Sequence, residues 1–498
     1  MNQIRFGALI SYISIAINML IGIVYTPWMI NSIGKESYGL YILATSVITL
    51  FMFDFGLGSA VTRFISKYIA ENRHKKINDF LGQIVKLYIG IDVILLIVLI
   101  SVYFFIPSIY KELTSGEVEQ FKIVYTVVAC YSVISFPFIP LDGIITAYEK
   151  FVQLKLCDLF HKIFIVVTMA CCLLAGYGLL ALVLVNAIAG IFTILLKLVV
   201  IRRNTNVNPN LLYSNKQEFK EVAGYSSWVT IGALAQRLIF NIAPTILGAV
   251  SGSVEIALFG IAATFEGYVF TFANALNGLF LPSVTKIAYH NKESLNELMI
   301  KVGRIQIFII GLLVLGFILV GNDFITLWLG TGYEMVYKCA VFLIIPSFFY
   351  LPQLIGSNAV LAMNKVKKQA TVFVYMGLFN LIFGALLAVK FGALGFSVSV
   401  FLAYTIRTIG MDLIFHKDLQ LDIKSFFKKT FLSMSPVLFS VFLLSTLITH
   451  VIVEVSWLTL LIEAMLITMI YCLGFFLFSF SKKERDMFFQ PLLKLLNR

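Results

Sequence analysis

Fourteen stretches of mostly apolar residues, most about twenty residues long and separated by short charged breaks, recur along this 498-residue chain. They lie near 7–31, 39–61, 82–106, 122–141, 156–175, 178–200, 226–250, 256–281, 304–321, 339–362, 370–389, 393–415, 431–452 and 457–479. A helix that crosses a bilayer needs about 20 such residues. Only helices and closed barrels keep every backbone amide and carbonyl bonded inside hydrocarbon. The pattern therefore predicts an all-α polytopic membrane protein with about fourteen transmembrane helices. Composition agrees: 60% of residues are apolar and 13% charged, against about half and a quarter in soluble domains. A soluble enzyme, a disordered chain and a secreted disulfide scaffold are excluded. The first apolar run is too long for a signal-peptide core and lacks a small-residue cleavage site, so it is expected to be a span.

Lys and Arg outnumber Asp and Glu by 38 to 26, a net charge of +12. With an inside N-terminus, the inner segments are 1–6, 62–81, 142–155, 201–225, 282–303, 363–369, 416–430 and 480–498. These hold 27 of the basic residues, whereas the outer segments hold only Lys35, Lys111, Lys338 and Lys390. Lys/Arg bias sets membrane orientation, so both termini are expected in the cytoplasm, and the excess charge is no sign of nucleic acid. The outer loops are too short for an ectodomain. The inner loop 201–225 is too short for a nucleotide-binding domain, and no G-x-x-x-x-G-K-[ST] occurs. The expectation is a transporter rather than an enzyme, with no cofactor, drawing on a proton or sodium gradient, the substrate gradient or another protein. The six cysteines form no C-x-x-C and no His stands at metal-ligand spacing, so buried free thiols and no metal site are expected.

An internal repeat organises the spans. Gly39-Leu-Tyr-Ile-Leu-Ala-Thr-Ser46 resembles Ala257-Leu-Phe-Gly-Ile-Ala-Ala-Thr264, 218 residues on. Pro137 to Lys150 matches Pro352 to Lys365 at an offset of 215, and Gly178-Leu-Leu-Ala181 matches Gly392-Ala-Leu-Gly395 at 214. Six spans per repeat give two lobes of like orientation. The expected organisation is an N-lobe of helices 1–6 (1–203), a cytoplasmic linker (204–223), a C-lobe of helices 7–12 (224–416), and helices 13–14 with a cytoplasmic tail (417–498). A cavity is expected between the lobes. Pro27, Pro137, Pro140, Pro244, Pro346 and Pro352 are expected to mark kinks.

Charges inside the spans are costly and tend to face a protein interior or wet cavity. The candidates are Asp54, Lys86, Asp92, Asp158, Lys162, Arg237, Glu266, Arg407, Asp412 and Glu463. Arg237 stands about 13 Å into the seventh span at 1.5 Å per residue, beside Gln236, Asn241 and Pro244. Its guanidinium suits bidentate phosphate binding; the structural alternative is a pair with Glu266. Arg407 lies deep in span 12, where Asp412 is expected to neutralise it. Asp158 and Lys162 are spaced for a local i,i+4 ion pair, with a substrate role as the alternative for Lys162. Glu266, Asp92 and Asp54 are candidate coupling-ion or charge-partner groups. Arg63 and Lys197 are expected to snorkel near the cytoplasmic ends, and His161 to be packed.

The second span reads Gly34-Lys-Glu-Ser-Tyr-Gly-Leu-Tyr41 and then Phe53-Asp-Phe-Gly-Leu-Gly-Ser-Ala-Val-Thr-Arg63. This resembles the O-antigen or polysaccharide flippases within the multidrug/oligosaccharidyl-lipid/polysaccharide exporter superfamily. Gly224-Tyr-Ser-Ser-Trp228, Ile246-Leu-Gly248 and Leu281-Pro282 resemble the same family, and the likeness runs over nearly the whole chain. The resemblance implies translocation of undecaprenyl-pyrophosphate-linked oligosaccharides across the bacterial inner membrane, in O-antigen, lipopolysaccharide or capsular polysaccharide synthesis. It implies alternating access around a cationic cavity. Asp54 and Arg63 fall on the family motif; Arg237, Arg407, Lys162 and Asn241 are the remaining candidates for pyrophosphate and sugar. Implied partners are the lipid-linked cargo, membrane lipids, a polysaccharide polymerase and a chain-length regulator. The alternative is an ion-coupled multidrug or metabolite antiporter of the same superfamily, against which the first span's lack of an acid counts. A membrane glycan polymerase or acyltransferase would need a larger outer loop than this chain has.

Overall fold

The computed structural model describes residues 19–51, 57–287, 292–363, 365–451, 454–482 and 484–485. Among these every regular element is helical, and the described part of each of the fourteen expected segments falls mostly on helix. In order they are α1 (Met19–Ile33), α2 (Lys35–Phe51), α3 (Leu57–Ala70), α4 (His74–Ile109), α5 (Ser115–Ser135), α6 (Leu141–Ala147), α7 (Phe151–Leu174), α8 (Leu179–Asn204) and α9 (Lys216–Phe240). Then come α10 (Ala243–Val250), α11 (Ser253–Ile287), α12 (Lys292–Leu329), α13 (Glu334–Tyr350), α14 (Leu354–Ala362), α15 (Val366–Leu419), α16 (Ile423–Phe427), α17 (Ser433–Val451) and α18 (Trp457–Gly474). Ten stretches are long and apolar enough to cross a membrane, and α9 with α10, bent by 41°, makes an eleventh. The 54 residues of α15 would run about 81 Å if straight, far more than one crossing. They turn back at Gly392, whose φ of +55° and ψ of −136° leave the helical region. Ser399 donates to Asn380 Oδ1 at 3.0 Å, where 19 residues of straight helix would separate them by about 28 Å. α15 thus supplies two of the expected spans.

Several helices outrun their apolar segments. The ninth segment, 304–321, lies inside α12, which starts at Lys292. Apolar length measures the bilayer, whereas the helix continues wherever its backbone can keep bonding. The prolines act as expected at three places. Pro137 and Pro352 sit in the 3₁₀ turns Phe136–Phe138 and Leu351–Gln353, and Pro244 starts α10. The ends of α6 and α14 repeat bond for bond at an offset of 215. Lys150 N donates to Ile145 O at 3.1 Å, and Lys365 N to Val360 O at 2.9 Å. All six cysteines are free thiols; Cys130 and Cys171 are exposed rather than buried, on helices whose outward faces are apolar.

The residues group into two compact units. The first holds the chain up to Gly260 together with Phe373–Ser399. There α2 and the start of α11 pack so closely that a Cβ on Gly39 would lie 2.0 Å from the Ser253 carbonyl oxygen. The Ser253 hydroxyl donates to Glu117, which also accepts from Thr114 N at 2.8 Å. After α8, the linker is strapped along α4: Asn210 N donates to Asn78 O at 2.9 Å, and Gln83 Nε2 to Asn215 O at 2.7 Å. Lys86 reaches the Tyr213 carbonyl, so this intramembrane candidate serves the strap.

The second unit holds Ile261–Val372 and the residues from Val400 onward. Its C-terminal helix pair is fixed to α12 by an aromatic cluster of Phe308, Tyr471, Phe475 and Phe480, and by Arg304. Two π turns, Lys428–Leu432 and Phe475–Ser479, leave carbonyls turned out of register. Arg304 donates to Lys429 O at 2.8 Å, Ser479 O at 2.7 Å and Glu484 Oε1 at 2.6 Å. At the first position of its apolar segment, Arg304 attracts no notice in the sequence.

Burial would raise the Glu484 carboxyl, but bonds from Arg304 and Ser481 outweigh it and hold it below the usual range. A carboxyl held low in the folded state contributes stability above its ordinary value and loses it as pH falls through its lowered one. Arg304→Gln should therefore cost about 3 kcal/mol at pH 7, with the gap to wild type narrowing below pH ~4. Thermal melts of purified protein across pH check this. Gly39→Ala should lower the melting temperature by several degrees, while Gly116→Ala, which faces open space, should leave it unchanged.

Candidate functional site

Arg237 stands in the last turn of α9. The seventh span, in which Pro244 is expected to mark a kink, breaks one turn after it. Pro244 cannot donate to the preceding turn and restricts its neighbour, so α9 stops at Phe240 and α10 begins at Ala243. A break inside hydrocarbon exposes carbonyls that need a donor. Asn380, fully buried on α15, supplies it, with Nδ2 3.0 Å from Leu238 O and 3.2 Å from Ile239 O. Its Oδ1 is in turn held by Ser399. Asn241 lies in the break, its backbone amide bonded to Arg237 O at 3.1 Å. The half-helix C-terminus, with its partial negative charge, favours the Arg237 cation. Two residues beyond Phe240, the amide end of α10 begins with no side-chain cap.

In the second unit Glu266 and Arg407 come together. Both are buried, at 7% and 8% exposure. Glu266 Oε1 accepts from the Tyr350 hydroxyl at 3.2 Å. The Arg407 guanidinium lies 4.3 Å from the Tyr350 ring centroid and 5.8 Å from that of Tyr404. The two rings stack at 4.8 Å. Arg407 is close enough to act on Glu266 electrostatically. The sequence offered Asp412 as the neutralising acid. Instead Asp412 Oδ1 is buried with no hydrogen-bond partner among the described residues, because i and i+5 fall on nearly opposite helix faces. Tyr350 and Tyr404 were missed, since a tyrosine in an aromatic-rich span carries no distinguishing signal.

The expected Asp158–Lys162 pair is not formed. Asp158 binds Lys155 and Lys197, each at 3.5 Å, and Lys197 also meets Asp142 at 2.7 Å. Lys197 therefore does not snorkel; it bridges α6, α7 and α8 with its side chain only 14% exposed. A spacing rule along one helix could not see these partners on two others. Lys162 is half-buried on α7 with no ion pair among the described residues. His161 is packed against α8 through Thr193, 2.8 Å away. Asp92 is half-buried, its Oδ1 without a partner among the described residues. Arg63 is exposed on α3. Asp54 lies outside the described residues. Glu463 is buried in α18.

A family model described as polysaccharide biosynthesis protein matches residues 5–289. No curated protein sequence matches the chain. Among solved structures it is similar to the lipid II flippase MurJ in an inward closed conformation. The TM-score is 0.71 at 15% identity, covering 98% of this chain and 100% of that one. An inward-facing multidrug resistance transporter of the MATE family in the MOP superfamily gives a TM-score of 0.66 at 16% identity, over 80% of this chain and 94% of that one. A MOP superfamily transporter from Pyrococcus furiosus gives 0.60 at 16% identity, over 84% and 95%. At these identities the likeness shows a shared fold, the all-α polytopic fold expected from the spans.

Asn380→Leu should leave the Leu238 and Ile239 carbonyls unbonded and cost about 1–3 kcal/mol. Thermal unfolding should show that loss, and hydrogen exchange should rise at the end of α9 ahead of the rest of the first unit.

Proposed function

We propose that this chain, which belongs to the polysaccharide biosynthesis protein family, is a flippase for undecaprenyl-pyrophosphate-linked oligosaccharide repeat units. It would carry them from the inner to the outer leaflet of the bacterial plasma membrane, for O-antigen or capsular polysaccharide synthesis, with both termini in the cytoplasm. The observation that carries the reading is the break in the seventh span. It ends α9 one turn after Arg237 and starts α10 without a side-chain cap, inside a span where a charge is costly. A guanidinium binds phosphate bidentately, and broken helices aim positive ends at anionic substrate groups. Pyrophosphate is the part of the proposed cargo that needs both.

In this reading Arg237 and Asn241 engage the pyrophosphate, with Arg407, Lys162 and Arg63 as further cations along its route. Glu266, Asp92 and Asp54 are the groups proposed to couple transport to a proton or sodium gradient. The stacked Tyr350 and Tyr404 fix Arg407 in place. A polysaccharide polymerase and a chain-length regulator are the proposed protein partners. Specificity for one sugar would rest on polar side chains scattered through the cavity.

Arg237→Ala should raise inner-leaflet lipid-linked repeat units and cut surface polysaccharide roughly tenfold or more, the scale of a lost charge-assisted contact. Arg237→Lys should retain part of the activity. Unchanged surface polysaccharide with normal membrane levels of the variant would sink the assignment of Arg237. Efflux of cationic dyes without any effect on glycans would instead mark the chain as an antiporter.

A further inference from the structure

A second polar site lies in the first unit, apart from every residue assigned to cargo above. A cavity of about 550 Å³ opens where the start of α4, the end of α6 and the end of α8 meet. His74, Asn78, Tyr148, Arg203, Asn204 and Asn206 line it, and no carboxylate does. Asn78 and Asn204 are committed to the fold. Asn78 Oδ1 accepts from Asn208 N at 2.9 Å, and Asn204 Nδ2 donates to Val200 O at 2.7 Å. The other four side chains form no hydrogen bond or ion pair among the described residues. A guanidinium, an imidazole, a phenol hydroxyl and a carboxamide thus converge on one space with their donors unused.

The chemistry of that donor set selects the ligand. Arg203 offers the planar fork that matches phosphate oxygens, and the missing carboxylates leave nothing to repel an anion. The first turn of α4, which has no side-chain cap and carries the positive end of the helix dipole, forms one wall. Asn206 and the Tyr148 hydroxyl suit neutral hydroxyl groups. The Tyr148 ring adds an apolar face of the kind on which a sugar or glycerol backbone rests. The volume exceeds what an inorganic ion would fill and is open enough to admit a molecule of sugar-phosphate size.

We propose that this cavity binds an organic phosphate bearing hydroxyl groups, held by Arg203, His74, Tyr148 and Asn206. Two sources share that chemistry: the headgroup of an anionic glycerophospholipid and a soluble sugar phosphate. Asn204 and Asn206 belong to the segment that leads into the linker strapped along α4. Occupancy should therefore tighten that strap.

The test uses full-length protein in nanodiscs of neutral phosphatidylcholine. Glucose 1-phosphate is added in one arm, and phosphatidylglycerol is mixed into the disc in the other. Binding in either arm should slow hydrogen exchange across 204–215, and the responding arm names the source. Arg203→Gln should weaken the response about tenfold, and Tyr148→Phe, which removes only the hydroxyl, by a smaller factor. Arg202→Gln, one residue away on the exposed surface and outside the cavity, should leave it unchanged. No response in either arm, or equal losses for Arg203→Gln and Arg202→Gln, would overturn the proposal. Arg203 and Arg202 are both exposed, so neither change threatens folding.

Discussion

Backbone inside hydrocarbon has no water to bond to, so every amide and carbonyl must find its partner within the protein. Long helices meet that demand by themselves, and most of this chain is long helix. Every interruption hands carbonyls or amides to some other group. Asn380 takes the carbonyls freed in the seventh span. Glu255 accepts from Ala393 N at 2.6 Å where α15 turns back, capping a helix start that would otherwise be bare. Arg304 takes the carbonyls turned out by two π turns. Three unlike side chains do one job, and each ties together segments far apart in sequence.

The same constraint shapes where charge can sit. Burying an ion costs several kcal/mol unless partners replace its water, and several buried charges here are embedded in sets of contacts. Lys197 stands between Asp142 and Asp158. Arg407 lies on a tyrosine face with Glu266 nearby, an arrangement in which the ring quadrupole and a carboxylate share the stabilisation. Arg237 is placed in the last turn of α9, where the helix dipole offers part of a counter-charge.

How much of this was legible in the sequence follows from the range of each interaction. Apolar runs gave the spans because burial in lipid acts on about twenty consecutive residues at once. Pro244 flagged a kink, since proline acts on its own backbone. The partner that makes the break tolerable, Asn380, lies 142 residues from Leu238, and no local pattern points to it. Spacing rules failed in the same way at Asp158, whose i,i+4 neighbour lost to Lys197 on another helix. Arg237, Arg407 and Glu266 stood out as candidates because a charge in a span is anomalous alone. Tyr350, Tyr404 and Arg304 did not, because their roles exist only in company.

The compact units divide the chain differently from the two six-helix lobes expected from the repeat, and the reason is local. Within the first unit, Gly39 of the second span meets Ser253 of the eighth, and Ile42 lies against Gly260. Gly248 approaches Tyr110, and Ser253 bonds Glu117. All these contacts lie toward the end expected to face outward, and they join residues from 1–203 to residues from 224–416. Glycine lets such a seam close tightly, with the Glu117–Ser253 bond as one of its polar ties. A carrier of the proposed kind must open and reseal its outer end in each cycle. A seam closed at glycines suits that demand better than a buried ion network, whose charges would have to be rehydrated at every turn.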